Sequence, residues 1–136
     1  GGAEVGCSAA LTVLDIVGDA DFLKRIETSG LFFEQRWNEL SGRFPEITEV
    51  RRLGMFMGIR MRSPEDCLIL VRTLLDNGIF AVYANNDKRV LQFLPPLIVS
   101  ESEREEIMQI VEASLKDKSR LKYRLLKAVL KKMLQN

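Results

Sequence analysis

Apolar side chains recur at three- and four-residue intervals between Asp19 and Leu40, where Phe22, Ile26, Phe33, Trp37 and Leu40 share one helical stripe. Asp19 or Asp21 is placed to cap that helix, and its aromatics read as core anchors. Residues 3–17 repeat the period on smaller side chains, with Val5, Ala9, Val13 and Ile16 on one face and Gly18 as a stop. The small residues Gly6, Ser8, Ala9 and Ala10 suit close packing of a core helix, the plainer reading, or the approach of a ligand. Residues 41–47 carry Gly42 and Pro45 and form a turn. Residues 49–61 then read as extended structure interrupted by Gly54 and Gly58, where a bulge or a close backbone approach is expected.

Ser63-Pro64-Glu65-Asp66 marks the next helix start: a cap, a proline in the first turn and acids near the positive end. Leu68, Val71, Leu74 and Leu75 are expected to face the core, and Asp76-Asn77-Gly78 to end the helix. Residues 79–84 form a strand, and the polar turn at Asn85, Asn86 and Asp87 leads to another at Val90. The expectation is one strand, a helical crossover, then a hairpin.

The densest signal is residues 90–103, V-L-Q-F-L-P-P-L-I-V-S-E-S-E. Val90, Leu91, Phe93 and Leu94 suit a strand buried on both faces. Pro95 and Pro96 cannot donate ladder hydrogen bonds, so pairing must stop or step sideways there. Ser100 with Glu103 is a capping box for a helix that points Ile107, Ile110, Val111 and Leu115 inward. Gln92 is the lone polar residue before the prolines, either at an edge or pointing into a site.

At 136 residues the chain is one domain's worth, able to bury roughly two thirds of its unfolded surface. Its 46% hydrophobic and 29% charged content is that of a globular domain, and a net charge of +1 makes no case for nucleic acid. No apolar run approaches a membrane span, and no signal peptide is visible. Cys7 and Cys67 read as reduced core thiols, which implies a cytoplasmic setting. The chain has no histidine, which removes the commonest general base and zinc ligand, and no metal site is expected. From Lys118 to Asn136 there are basic residues and no acidic ones, and Leu121, Leu125, Val129 and either Leu126 or Met133 could form a stripe. This tail reads most plainly as a helix docked on the same protein with a solvated basic face. The other readings are a linker helix toward a further domain and a contact for an anionic surface.

Residues 90–103 resemble the L-R-x-x-P-P-L run, followed by Ser or Thr and acids, in the C-terminal domain of class III (ornithine/acetylornithine-type) pyridoxal-phosphate aminotransferases. Residues 50–59, V-R-R-L-G-M-F-M-G-I, are similar to the family's V-R-G-x-G-L-M-x-G-I strand, with Arg52 and Leu53 in places often held by glycine and a variable residue. The opening G-G-A-E-V-G-C-S-A-A-L-T-V-L resembles the stretch just after the Thr-Phe of its T-F-G-G-N motif. The three occur in family order across about residues 1–116.

The resemblance implies an α/β (α+β) fold, the small C-terminal domain of fold-type I enzymes, with a short mixed sheet and flanking helices. Residues 1–117 would form that domain, residues 1–18 being a helix from an absent large domain, and residues 118–136 a basic amphipathic tail. The cofactor implied is pyridoxal 5'-phosphate, held mainly by the large domain of a homodimer acting on a small amine and keto-acid pair. Gly1 and Gly2 would lie beside the partner subunit's phosphate, contributing backbone, while the threonine expected before Gly1 is missing. No lysine here matches the family's cofactor lysine, so the segment should not transaminate alone. Arg51 matches an arginine of the strand pattern, with a structural role pairing acids near the domain boundary.

Gln92 stands where most relatives carry an arginine whose fork binds the substrate carboxylate. A neutral amide cannot replace that charge. A terminal amine, an ω-amino substrate or a carrier-tethered acyl group would fit better than an α-amino acid; the alternative is an edge-strand glutamine without substrate contact. A same-fold lyase or decarboxylase is a further option, since the small domain is shared. From another class comes a stand-alone module that binds an acidic partner through its basic tail.

Overall fold

A computed structural model describes residues 18–118 and 121–135. Helix α1 (Ala20–Arg43) starts where the Asp19 side chain accepts from the Phe22 amide at 2.9 Å, and buries Ser29, Gly30, Phe33, Trp37 and Leu40. Strands β1 (Ile47–Leu53) and β2 (Phe56–Met61) follow, then helix α2 (Pro64–Asp76), strands β3 (Val82–Tyr83) and β4 (Val90–Phe93), and helices α3 (Glu101–Asp117) and α4 (Leu121–Leu134). Ser63 caps α2, Gly78 leaves it at φ +89°, and Ser100 and Glu103 form the capping box of α3. The expected helix 3–17, with Cys7, Gly1 and Gly2, lies outside the described residues.

Residues 49–61 are not one interrupted strand. They fold back on themselves, with Leu53 opposite Phe56 across a two-residue loop. Gly54 opens that loop at φ +61°, the conformation in which a tight hairpin favours glycine. The bulge lies elsewhere, where the register shifts between Ile47 and Glu49. Strand order is β1-β2-β4-β3. The expected short sheet with flanking helices is present, antiparallel at each described pairing rather than mixed. The strand expected over residues 79–84 pairs only at Val82 and Tyr83, and β4 stops one residue before Leu94 and the prolines.

α1 packs on β1, α2 packs on β2, β3 and β4, and α3 packs against α1 and α2. This layer covers one sheet face. Met57, Ile59, Met61, Leu91 and Phe93 enter the core beneath it, and Trp37 and Phe33 meet the Phe93 ring edge-on at 5.4 and 5.5 Å. Among the described residues the other face is open. β4 is therefore not buried on both sides: Leu91 and Phe93 are inside, while Gln92 and Leu94 are exposed.

The inward stripe of α2 differs from the expected one. Cys67, Ile69, Leu70, Thr73 and Leu74 are buried, whereas Leu75 is 54% exposed and Leu68 and Val71 are half-buried. In α3 the buried positions are Arg104, Met108, Val111, Ser114 and Leu115, with Ile107 and Ile110 half-buried. α4 docks on α2 as the plainest reading of the tail expects, but through different residues. Tyr123 is buried and donates its hydroxyl to Asp76, and Lys127 Nζ reaches Asp66 Oδ1 at 2.6 Å. Leu125, Leu126, Val129 and Met133 are exposed.

Gly30 marks the closest approach of α1 to the hairpin. A Cβ there would sit 2.4 Å from the Gly54 carbonyl oxygen and 2.9 Å from an Arg52 guanidinium nitrogen. Alanine gains about 1 kcal/mol of helix preference over glycine, but backbone cannot yield as a side-chain tip can. Gly30→Ala is therefore expected to destabilise the chain by about 1–3 kcal/mol. A urea midpoint equal to or above the parent's would contradict it.

Candidate active-site face

The open sheet face carries the residues with chemical meaning. Register sets them on one rung: Arg51 opposite Gly58, Gly58 opposite Gln92, and Gln92 opposite Val82. Residues aligned across neighbouring strands point to the same side of a sheet. With strands about 4.8 Å apart, Arg51 and Gln92 originate roughly 10 Å from each other. The residue between them has no side chain, which leaves a gap between a cation and an amide. A shallow cavity of about 480 Å³ covers the rung, bordered by Leu53, Phe56, Val90 and Leu94. Leu53 is 80% exposed, so this apolar rim is uncovered in the described structure.

Gln92 is at neither sheet edge. β4 has β2 on one side and β3 on the other, so its side chain stands on an interior strand and faces the cavity. Pro95 and Pro96 follow one residue after the strand and end its pairing there. Arg51 Nε donates to Glu49 Oε1 at 2.6 Å, and that bond holds the Glu49 carboxyl below the usual carboxylate range against the opposing effect of burial.

Arg51 pairs an acid as expected, but within its own strand; the tie from the hairpin to a helix is made by its neighbour. Arg52 points to the helical side, where it donates to both carboxylate oxygens of Glu27 at 3.0 and 3.2 Å and to the Gly54 carbonyl at 3.1 Å. Glu34 lies 3.4 Å from its Nε. Strand parity separates the two arginines: one ties the hairpin to α1, the other serves the open face. Alternation along β1 carries that signal once the covered face is known.

Cys67 is fully buried, and burial pushes its thiol up to about 12, so it is packing material and no nucleophile. Among the described residues, no helix is long and apolar enough to cross a membrane.

The Aminotransferase class-III family profile matches residues 1–115. This chain belongs to the class III aminotransferases. It is 39% identical over 109 residues to an uncharacterized aminotransferase of Archaeoglobus fulgidus, covering 80% of this chain and 26% of that protein. The acetylornithine aminotransferase of Elizabethkingia anophelis has a TM-score of 0.74 at 25% identity, over 82% of this chain and 29% of that one. The ornithine aminotransferase of Toxoplasma gondii has a TM-score of 0.70 at 28% identity, over 80% of this chain and 26% of that one. The class III aminotransferase chain thus spans under a third of the length of these relatives.

The cofactor of the family is pyridoxal phosphate, and the Toxoplasma gondii structure has partial occupancy of it at its active site. Such a group needs a lysine that binds it covalently, an acid for its ring nitrogen and donors for its phosphate. The cavity over the Gln92 rung is lined by neither a lysine nor a carboxylate. That cavity does not by itself form a site for the cofactor.

Proposed function

We propose that residues 1–117 are the small domain of a fold-type I, class III aminotransferase, and that residues 118–136 are an appended helix. The parent enzyme is a cytoplasmic homodimer whose large domain holds pyridoxal phosphate. When bound there, the cofactor supplies the electron sink for moving an amino group between a small amine or amino acid and a keto acid or aldehyde. Gly1 and Gly2 contribute backbone beside the partner subunit's phosphate. Residues 1–18 lead in from the large domain. The segment alone is inactive, and a stand-alone interaction module is disfavoured by the family match over residues 1–115.

The observation that carries this reading is the rung itself: Gln92 faces the cavity from an interior strand, beside a glycine that clears space for a ligand. We assign Gln92 to the substrate end of the parent's active site. A primary amide offers hydrogen bonds without charge, so it does not select a substrate carboxylate as an arginine fork does. The parent then prefers a terminal amine, an ω-amino substrate or a carrier-tethered acyl group over ordinary α-amino acids.

Gln92→Arg in the intact enzyme should raise kcat/KM for α-amino acid donors relative to ω-amines by about 10- to 100-fold, the worth of a charged hydrogen-bonded pair. An unchanged preference would remove Gln92 from the substrate site. Transamination by the 136-residue chain supplied with pyridoxal phosphate would overturn the assignment of the cofactor to another domain.

A further inference from the structure

We propose that the cleft between α4 and the α2–β1 side of the domain binds an organic phosphate, a phosphomonoester carried on an apolar body. The chain as a whole is almost charge-balanced, with 20 basic and 19 acidic residues. The cleft is not. Its lining holds six cations, Arg62, Lys116, Lys118, Arg124, Lys127 and Lys131, against two carboxylates, Glu46 and Asp66. Both carboxylates are engaged. Lys118 Nζ lies 2.8 Å from Glu46, while Asp66 takes Lys127 at 2.6 Å and Arg62 at 3.1 Å. These pairs fix two lysine heads at the wall, and the cations of the lining still outnumber its carboxylates.

Arg124 and Lys131 have no carboxylate partner among the described residues. They lie seven positions apart on α4, about two turns or roughly 10 Å along the axis, with Ala128 between them on the same face. The small side chain clears room for an anion that both long cations can reach. Below them the floor is apolar, made by Phe44, Ile69 and Leu115. The cleft volume of about 670 Å³ is that of a small-molecule site.

A bare inorganic anion would leave this floor wet, and a neutral apolar molecule would leave the cations unused. A phosphomonoester with an aromatic or aliphatic body satisfies both parts. The cleft shares no lining residue with the cavity over Gln92, and five of its six cations lie past residue 115, where the family match ends. The inference therefore stands independently of the transaminase reading.

The test is a titration of the ¹⁵N-labelled chain with phenyl phosphate. Amide shifts should centre on Leu115 and Ala128, with a Kd below about 1 mM. Inorganic phosphate should bind about tenfold more weakly, for lack of an apolar body. The exposed Arg124→Glu/Lys131→Glu double variant should lose about tenfold or more in affinity. Lys132→Glu, on the same helix but outside the lining, should leave it within about twofold. Vesicles of phosphatidic acid separate the sources. Binding to them that the double reversal abolishes makes the phosphate a lipid headgroup, and no binding leaves a soluble ester. Absence of shifts at Leu115 and Ala128, equal affinity for inorganic phosphate, or equal losses in the Lys132 and double variants would each overturn the site.

Discussion

Trp37→Ala is expected to lower the stability of this chain by about 3–5 kcal/mol, a large share of the 5–15 kcal/mol typical of a domain. Trp37 is the single tryptophan, it is 0% exposed, and its ring meets Phe93 edge-on at 5.4 Å. It ties the C-terminal half of α1 to the strand that carries Gln92, so a void there loosens helix and sheet together. The walls are themselves fully buried, with Phe33, Ile59 and Leu91 among them in the same cluster, so the gap cannot close by a surface movement. Thermal unfolding followed by circular dichroism should shift down by roughly 10–20 °C. Trp37→Phe keeps an aromatic ring in place and removes an indole N–H that has no hydrogen-bond partner in the structure. It should cost under about 1.5 kcal/mol. Equal losses in the two variants would show that packing against Phe93 is not what the residue supplies.

The second large effect concerns α4. Asp66 is 2% exposed and accepts from Lys127 Nζ at 2.6 Å, Arg62 Nε at 3.1 Å and the Ser63 hydroxyl at 3.1 Å. Asp66→Ala should destabilise by about 2–3 kcal/mol, less than a fully buried pair because the Lys127 and Arg62 heads can turn to water. The damage should be local. Amides of α4 should exchange with solvent and its lysines become open to trypsin, while Trp37 fluorescence stays native. Unchanged exchange over α4 would mean that Asp66 does not hold the helix, leaving its docking to Tyr123 and Lys122 on Asp76.

Acid should reproduce the effect. Burial pushes the Asp66 carboxyl up, but the hydrogen bond and charge of Lys127, with Lys118 and Arg62, outweigh it and hold the group below its ordinary value. A carboxyl depressed in the folded state contributes fully above its unfolded pKa of about 3.9 and is lost as pH falls through the folded pKa. Docking of α4 should therefore persist at neutral pH and fail below about pH 4. Asp66→Ala should abolish that acid step.

Much of the secondary structure could be read from the chain, because the signals are local. Asp19, Ser63 and the Ser100–Glu103 pair satisfy amides three residues away, and they cap the helices as expected. Gly78 and the double proline act on their own backbone, ending a helix and a strand where the sequence places them. Phe33, Trp37 and Leu40 are buried because a long amphipathic helix has only one apolar stripe to offer.

Readings failed where the outcome depends on which segments pair or pack rather than on the local pattern. Gly54 suits a bulge or a hairpin loop equally well, and only the pairing of Leu53 with Phe56 selects the loop. Arg51 and Arg52 differ by one step of strand parity, which has no meaning until α1 covers one sheet face. The same one-sided cover sends Leu91 and Phe93 inward and leaves Gln92 facing the cavity. On α4, Leu125, Leu126, Val129 and Met133 of the expected stripe are exposed, while Asp66 and Asp76 on α2 offer partners to Lys127 and Tyr123. Capping, turn chemistry and helical period are set by neighbours a few residues away, so they belong to the chain as written. Which face is covered, and what two distant cations share, depend on contacts that exist only once the chain has closed on itself.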